Sequence, residues 1–247
     1  MNVDDISEEV IPSPEDRLAA IFIRQAELME KYEGIEAANG FKVLTPPVDL
    51  HDRFGQARLK DFTQRFSEEV SEAMKAHDDH PDNPTHLQEE LSDAYHFFIE
   101  LCILADFSPI GLTSWTLNDY EEPQLDDLCS LINIYTTIIE TYPQKLDLKV
   151  FSHVNIGQSI QENYTHTLNF YAWESVRALH TACNCLKQKP WKNTHVLTDI
   201  PLFSFWVGRT HERFIKLAWV AGLNADELFR IYFKKSEVNK FRQETNY

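Results

Sequence analysis

Apolar residues recur at helical spacing along most of this chain. Their i, i+3, i+4, i+7 pattern predicts an amphipathic helix over about residues 15–33, a second over about 50–77 and a third over about 85–106. A proline-rich break precedes the third helix, and we expect Thr85 to cap it and Pro109 to end it. The first half of the chain is therefore predicted to consist of three long helices.

The second half shows the same period in shorter pieces, over about residues 125–142 and 158–187, and then in a final pair of helices over about 203–221 and 225–240. The final pair is joined at Gly222-Leu223-Asn224. Only 7 glycines occur in 247 residues, which leaves few of the turns that a many-stranded sheet needs. The predicted fold class is all-α.

Charge limits the partners that this chain can have. The formal net charge is −16, and the first dozen residues are acidic enough that we expect a flexible arm. Such a surface repels phosphate backbones, so nucleic-acid binding is not expected. A triphosphate could bind only through metal ions or a local cluster of Lys and Arg. No apolar run approaches the roughly 20 residues of a membrane span, so no membrane partner is expected.

The cysteines indicate the redox compartment. Cys102, Cys129, Cys183 and Cys185 form no C-x-x-C pair, and the acidic N-terminus does not resemble a signal peptide. We expect reduced thiols in a cytoplasm, which would be a host cytoplasm if the chain is viral.

Two pairs of acidic residues carry the candidate chemistry. Glu69 and Glu72 lie in the second predicted helix, and Glu90 and Asp93 lie in the third, each pair at i, i+3 spacing on one helical face. Each pair lies at the edge of an apolar arc, so packing the two arcs together would gather four carboxylates beside the core. Such a cluster is unfavourable unless cations neutralise it. Hard oxygen ligands favour Mg²⁺, with Mn²⁺ as an alternative.

The same acids have an ordinary structural explanation. The chain has 39 acidic residues, and most Glu pairs on helices simply face water. We expect Glu68, Glu89 and Glu100 to be solvated in this way, although Glu68 could serve as an outer ligand or a base. Spacing alone therefore leaves a metal site and a solvated face as two open interpretations.

Two motifs together resemble a known family. The acidic pairs, with His96-Phe97 behind the second, are similar to the EExxE…ExxD signature of all-α NTP pyrophosphatases. That superfamily includes dimeric dUTPases, phage dCTPase–dUTPases and MazG-like enzymes. The C-terminus is more specific and resembles the box Y-x-x-K-N-x-x-N-x-x-R-Q-x-x-G-Y of the dUTPase and dCTPase–dUTPase group, with departures at Ser236 and Asn246. The matching residues are Tyr232, Lys235, Asn239, Arg242, Gln243 and Tyr247.

The resemblance implies a fold and a reaction. The fold would be the helical bundle of the all-α NTP pyrophosphatases, and the enzyme would be a Mg²⁺-dependent homodimer. It would hydrolyse dUTP to dUMP and diphosphate by attack of activated water on the α-phosphorus. The residues that bind the metal and serve catalysis would be Glu69, Glu72, Glu90 and Asp93. The residues that contact the phosphates would be Lys235, Asn239, Arg242 and Tyr247.

The resemblance covers only part of the chain, about residues 15–33, 60–106 and 212–247. In the compact phage enzymes, the ExxD helix leads almost directly into the segment that begins at Gly222 here, whereas about 100 residues intervene in this chain. We therefore expect a single domain over 1–247 with an additional helical segment at about 107–210. That segment would cover the site or enlarge a dimer interface.

Recognition of the base is the least complete part of the resemblance. Dimeric dUTPases carry a Q-x-x-L-N box in the first helix, whose amides read the uracil edge. Gln25 and Leu28 match it, but Met29 stands at the Asn position. Met cannot replace the paired hydrogen bonds of an amide, so dCTP or another dNTP is an alternative substrate. Gln25 is the candidate base-binding residue, and His96 is a candidate contact to the sugar.

Two interpretations from other classes compete with this one. His51-Asp52 and His77-Asp78 could be ligands of an HD-type metal site, although the second pair falls in a predicted loop before prolines. A non-enzymatic acidic helical protein that mimics DNA or binds a basic partner would also explain the net charge of −16. It would not explain the ordered basic residues near the C-terminus.

Overall fold

The computed structural model describes residues 2–117, 160–188, 193 and 196–245. Within these residues the structure has seven α-helices and no strand, which confirms the predicted all-α class. The helices are α1 Arg17–Ala38, α2 Arg53–Asp79, α3 Thr85–Leu104, α4 Pro109–Leu117, α5 Ile160–Cys185, α6 Ile200–Val220 and α7 Ala225–Glu244. The helix predicted over about 125–142 lies outside the described residues, whereas α5 corresponds to the one predicted over 158–187. None of the described helices has the length and hydropathy needed to cross a membrane.

The central element of the site-bearing half is α3. It packs against α1, α2 and α7, and less extensively against α6. Its second half reads HFFIELCIL, which is apolar on nearly every face, and a helix of this kind is buried by its neighbours. Helices α5 and α6 form a second pair, which α2 and α4 contact. Side chains from four helices can therefore meet around α3.

Aromatic rings fix the geometry between α2, α3 and α6. Phe66 on α2 lies 5.9 Å from Phe98 on α3 and 5.8 Å from Phe214 on α6, measured between ring centroids. Tyr95 stacks on Phe214 at 5.1 Å, and its hydroxyl forms a 3.0 Å hydrogen bond with Nε2 of His211. All five side chains are buried. Such ring pairs add roughly 0.5–1.5 kcal/mol each beyond the burial of their area, so the α2–α3 arrangement is strongly held.

The turn between α6 and α7 explains most of the G-L-N-A-D-E segment. Gly222 has φ +85°, a conformation that other residues rarely adopt, and it ends α6. Leu223 is buried. Asn224 begins α7 with a capping box: its side chain accepts from the Glu227 N–H, and the Glu227 carboxylate accepts from the Asn224 N–H, both at 3.0 Å. This segment therefore positions α7 rather than contributing to the chemistry.

Two predicted helix ends differ from the structure. Thr85 is the first residue of α3 and not its cap, because Pro84 holds the cap position and Asn83 Oδ1 accepts from the Thr85 N–H. Pro109 begins α4 instead of ending α3, since α3 already stops at Leu104. Proline suits the first turn of a helix because it needs no N–H donor there.

The predicted flexible arm is also wrong, because the N-terminal segment is docked on α7. Residues 3–10 contain two 3₁₀ turns. Two apolar side chains of the segment are buried against Val238. Glu8 pairs with Arg230 and lies 2.6 Å from Nζ of Lys234. The acidic composition that suggested a solvated arm therefore matches the positive charges of the C-terminal helix.

Candidate active site

The packing of α2 on α3 brings acidic residues together. Carboxylate oxygens of Glu69, Glu72 and Glu90 all lie within 4.8 Å of one another. Among the described residues, no other group of three or more His, Cys, Asp or Glu side chains is close enough to share a metal ion. Asp93 lies near enough for its charge to raise the pKa of Glu69. We term these four residues the acidic end.

Burial and mutual repulsion raise pKa values throughout the acidic end. The pKa of Glu69 is raised to about 8, first by burial and then by the charges of Asp93, Glu90 and Glu72. Burial and the charge of Asp93 also raise the pKa of Glu90. Burial raises the pKa of Asp93, although Lys235 opposes the shift. With the pKa of Glu69 at about 8, the cluster holds a proton near neutral pH, which a divalent cation would displace.

Lys235 brings a positive charge from α7 to the acidic end. Its Nζ lies 2.6 Å from Asp93 Oδ2 and 3.9 Å from Glu89 Oε2, and its side chain is 7% exposed. The family resemblance implies that this lysine contacts phosphates, and in the structure it partners an expected metal ligand. One ammonium offsets only part of the charge of four carboxylates.

A cavity of about 240 Å³ opens next to the acidic end. Helices α1, α2, α3 and α7 all contribute to its wall. Its polar lining includes Gln25, Arg65, Glu69, Asp93, His96, Glu100, Asn239 and Arg242. Residues that the sequence singled out in three separate motifs therefore line one space.

A hydrogen-bonded network forms another part of the cavity wall. Gln25 Oε1 accepts from the Tyr232 hydroxyl at 2.6 Å and lies 2.9 Å from His96 Nδ1. Gln25 Nε2 donates to Glu100 Oε2 at 3.0 Å. The rings of Tyr232 and His96 stack with their centroids 3.7 Å apart. We term these four residues the polar network, and all four are buried.

His96 is held in its neutral form. Burial, together with the charge of Lys235, lowers its pKa to about 3. With Gln25 Oε1 as the acceptor, Nδ1 must carry the ring hydrogen, which leaves Nε2 as an acceptor. His96 Nε2 is buried and has no hydrogen-bond partner among the described residues. A ligand hydroxyl in the cavity could supply that partner.

The prediction that Glu100 is solvated is wrong. Glu100 is 7% exposed and lines the cavity, whereas Glu68 is exposed as predicted. Burial raises the pKa of Glu100 to about 7, against the opposing charge of Arg58. The sequence did contain a signal for this role. Glu100 lies one helical turn after His96, and it is the single acid in an otherwise apolar run.

Gln25 and Met29, two of the three residues compared with the Q-x-x-L-N box, have different environments. Gln25 is 2% exposed and lines the cavity. Met29 is buried in the hydrophobic core and does not belong to the cavity wall. The methionine at the Asn position therefore fills core space and presents no group to a ligand.

The C-terminal box lies along α7, and its members have different partners. Asn239 and Arg242 line the cavity, whereas Tyr247 lies outside the described residues. Ser236, which replaces the usual Asn, accepts a hydrogen bond from Arg24 Nε at 2.7 Å. The box therefore combines two cavity residues with a contact that holds α7 against α1.

Arg65 is a cavity residue that no sequence motif indicates. It lies one turn before Glu69 on α2. Its guanidinium carbon is 5.6 Å from the centre of the Phe62 ring and 5.7 Å from that of Phe97, and its Nε lies 3.1 Å from Asp61 Oδ2. The i, i+4 pairing with Asp61 is typical of a solvated helix face, so the sequence offered no clear signal.

The two His-Asp pairs of the alternative metal site have structural roles. His51 Nδ1 accepts a backbone N–H at 3.1 Å, and Asp52 caps α2. His77 is buried with Nε2 3.0 Å from Thr165 Oγ1, whereas Asp78 is exposed. Within the described residues these pairs do not meet in a shared metal site.

A family model described as dUTPase matches residues 75–247, which is more than two thirds of the chain. The matched range contains Glu90, Asp93 and the whole of α7, but it begins after Glu69 and Glu72. Comparison with curated proteins and with solved structures gives no match.

Proposed function

Because the chain belongs to the dUTPase family, we propose that it is a Mg²⁺-dependent deoxynucleoside triphosphate pyrophosphohydrolase. Its substrate would be dUTP, and its products would be dUMP and diphosphate. One observation carries the proposal beyond the family. Glu69 belongs both to the group of carboxylates within 4.8 Å of one another and to the wall of the cavity that Gln25 lines.

The donors at the acidic end fit a hard divalent cation. All of them are carboxylate oxygens, which Mg²⁺ prefers. The raised pKa of Glu69 reflects burial together with negative charge that lacks a full counterion. The residues that would hold Mg²⁺ or Mn²⁺ are Glu69, Glu72, Glu90 and Asp93. When bound, the ion would neutralise phosphate charge and activate water.

The polar and cationic groups of α7 would hold the phosphates. Asn239 and Arg242 line the cavity beside Glu69, and Lys235 Nζ reaches Asp93 at 2.6 Å. A guanidinium and an amide form directed hydrogen bonds with phosphate oxygens, and an ammonium adds a compact charge. The leaving diphosphate would therefore lie between α7 and the acidic end.

The polar network would hold the nucleoside. At about 240 Å³ the cavity is smaller than the roughly 300–1,000 Å³ of a typical ligand pocket. The base and sugar would occupy it, and the phosphates would extend over the acids at its edge. His96 Nε2 would accept a hydrogen bond from a sugar hydroxyl, since it has no other partner among the described residues.

A substrate screen tests the proposal. The purified chain would be incubated with dUTP, dCTP, dUDP, dTTP, dATP and dGTP, each with Mg²⁺ and with excess EDTA. Monophosphate, diphosphate and inorganic phosphate would be quantified. We expect equal amounts of monophosphate and diphosphate from dUTP, and only with Mg²⁺. Stepwise release of inorganic phosphate from dUTP, or no turnover of any nucleotide, would contradict the proposal.

A further inference from the structure

The hydrogen bonds of Gln25 fix the orientation of its amide. Its Oε1 accepts from the Tyr232 hydroxyl at 2.6 Å and from His96 Nδ1 at 2.9 Å, which uses both lone pairs of the oxygen. Its Nε2 donates one hydrogen to Glu100 Oε2 at 3.0 Å. The second hydrogen on Nε2 has no acceptor among the described residues. Gln25 can therefore offer the cavity a donor but not an acceptor.

Glu100 offers the complementary group. Its Oε2 accepts from Gln25, and no other described residue hydrogen-bonds to the carboxylate. Glu100 lines the cavity and is only 7% exposed, so its second oxygen has little access to bulk water. A carboxylate oxygen that lines a cavity and has no protein donor can accept a hydrogen bond from a ligand there. The position of this second oxygen of Glu100 is suited to a hydrogen-bond donor on a ligand in the cavity.

The charged groups around Glu100 do not account for its burial. The charged residues that act on the pKa of Glu100 are Arg58, Glu36 and Arg65. Arg58 forms a 2.5 Å salt bridge with Glu36, and Arg65 pairs with Asp61 at 3.1 Å. Neither arginine hydrogen-bonds to Glu100 in the structure. The carboxylate is therefore not half of an ion pair that would explain why it is buried.

We propose that Glu100 determines the specificity for the base. Its free oxygen accepts a hydrogen bond from the ring N–H of a uracil-type base, while Gln25 Nε2 donates to the neighbouring carbonyl oxygen. This inference rests on the proposed function, because it concerns the base of the same substrate.

Glu100 and Gln25 together distinguish uracil from cytosine by the order of hydrogen-bond donors and acceptors on the edge of the base. A uracil edge carries a ring N–H next to a carbonyl, which matches an acceptor next to a donor. Cytosine held in the same place reverses both groups, because its ring nitrogen accepts and its amino group donates. Cytosine would then face Glu100 with an acceptor against an acceptor, and Gln25 with a donor against a donor.

Two substitutions at Glu100 separate this role from a structural one. In Glu100→Gln, the single amide oxygen is needed by Gln25 Nε2, so the amide nitrogen offers the cavity a donor in place of an acceptor. In Glu100→Asp, the carboxylate remains but is set back by one methylene. A structural role would make the shorter side chain the more harmful change, whereas base recognition makes the isosteric amide the one that alters specificity.

The measurements are kcat/KM for dUTP and dCTP with Mg²⁺, and the Kd of dUMP and dCMP by calorimetry. We expect the unsubstituted protein to prefer uracil. Glu100→Gln should lower the dUTP:dCTP ratio of kcat/KM by about tenfold or more, with a parallel change in the binding of the monophosphates. Glu100→Asp should keep the preference at weaker affinity. Glu30→Gln, a substitution of an exposed acid on α1, should change neither ratio.

The outcomes separate this inference from the proposed function. Turnover with an unchanged ratio in Glu100→Gln, or a preference of the unsubstituted protein for cytosine, overturns the inference and leaves the pyrophosphohydrolase intact. An inert protein that binds dUMP contradicts the proposed function, and the binding ratios then decide the role of Glu100. Failure to bind either monophosphate overturns the inference. Should Glu100→Gln not fold, loss of uracil preference in Glu100→Asp overturns it, because the carboxylate is retained.

Discussion

The acidic end and the polar network both bury carboxyl groups beside one cavity, but they do so in different ways. At the acidic end, burial and three neighbouring carboxylates raise the pKa of Glu69 to about 8. In the polar network, burial raises the pKa of Glu100 to about 7, while the charge of Arg58 and a hydrogen bond from Gln25 lower it. At the acidic end one ammonium offsets only part of the negative charge, whereas in the polar network one carboxylate oxygen of Glu100 has no donor among the described residues.

This difference separates two kinds of binding. A cluster of like charges binds cations through charge and oxygen donors. A hydrogen-bonded network with a fixed orientation selects a ligand by its pattern of donors and acceptors. One helix serves both, since Asp93, His96 and Glu100 follow one another at about one turn along α3. A substrate aligned with α3 would therefore meet the metal site and the base-reading groups together.

Removal of one charge from the acidic end should have the largest effect. Glu90→Gln keeps the shape of a side chain that lies within 4.8 Å of Glu69 and Glu72. Because a bound metal contributes several kcal/mol to transition-state stabilisation, we expect kcat/KM for dUTP to fall on the order of 10³-fold. The metal-free protein should become more stable, since repulsion is relieved. Turnover with saturating Mg²⁺ and thermal melting in EDTA measure the two effects.

Glu89→Gln is the matched control for Glu90→Gln. Glu89 is the preceding residue, but it stands 3.9 Å from Lys235 and outside the group of three acids. It should change kcat/KM by less than about threefold. A metal-free Glu90→Gln protein that melts at a lower temperature than the unsubstituted protein would mean that the acidic end is not short of positive charge.

The acidic end could be predicted because the signals for it are local. The i, i+3 spacing of each acidic pair follows from the helical repeat, and the apolar arcs of two helices must be buried. The positive charge that meets the acids could not be predicted. Lys234 and Lys235 are neighbours in sequence, and only the packing of α7 decides that the first pairs with Glu8 and the second with Asp93.

The polar network was harder to predict because its partners are distant in sequence. Gln25 bonds to Glu100 and to Tyr232, which lie 75 and 207 residues away. Gln25 is a candidate through the family resemblance, and His96 is a candidate through its position three residues after Asp93. In the sequence Glu100 resembles the many solvated acids, since periodicity does not reveal a partner on another helix. The fold class and most helix bounds follow from periodicity, whereas the docking of the N-terminal segment depends on charges of α7.

Substitution of Lys235 tests whether α7 contributes to turnover together with the acidic end. Lys235→Met removes the ammonium that lies 2.6 Å from Asp93. We expect kcat/KM to fall roughly 10- to 100-fold, the range for hydrogen bonds to charged groups. The metal-free protein should also lose stability, because Asp93 loses this partner. Steady-state kinetics and melting curves measure both changes.

Lys234→Met provides the comparison on the same helix. This lysine is also buried, but it pairs with Glu8 of the N-terminal segment. Its substitution should lower the melting temperature and leave kcat/KM within about threefold. Equal losses of turnover in the two variants would mean that Lys235 acts only by holding α7 in place.

Stability against pH distinguishes the two regions by a smaller effect. Folding raises the pKa of Glu69 from 4.5 to about 8, so its contribution to stability is full below about 4.5 and is lost as the pH rises through about 8. The pKa of Glu100, raised to about 7, gives a contribution of the same sign. Mg²⁺ would replace the lost proton only at the acidic end, because the polar network holds a single carboxylate.

We therefore expect Mg²⁺ to raise the melting temperature more at about pH 8.5 than at about pH 5.5. At about ten times its Kd the ion adds roughly 1.4 kcal/mol, which corresponds to about 3–6 °C for a chain of this size. Glu69→Gln should lose most of the gain at the higher pH, whereas Glu100→Gln should keep it. Equal gains at both pH values, or equal losses in both variants, would show that burial alone raises the pKa values in the two regions. The neighbouring carboxylates would then contribute nothing that a metal ion could relieve.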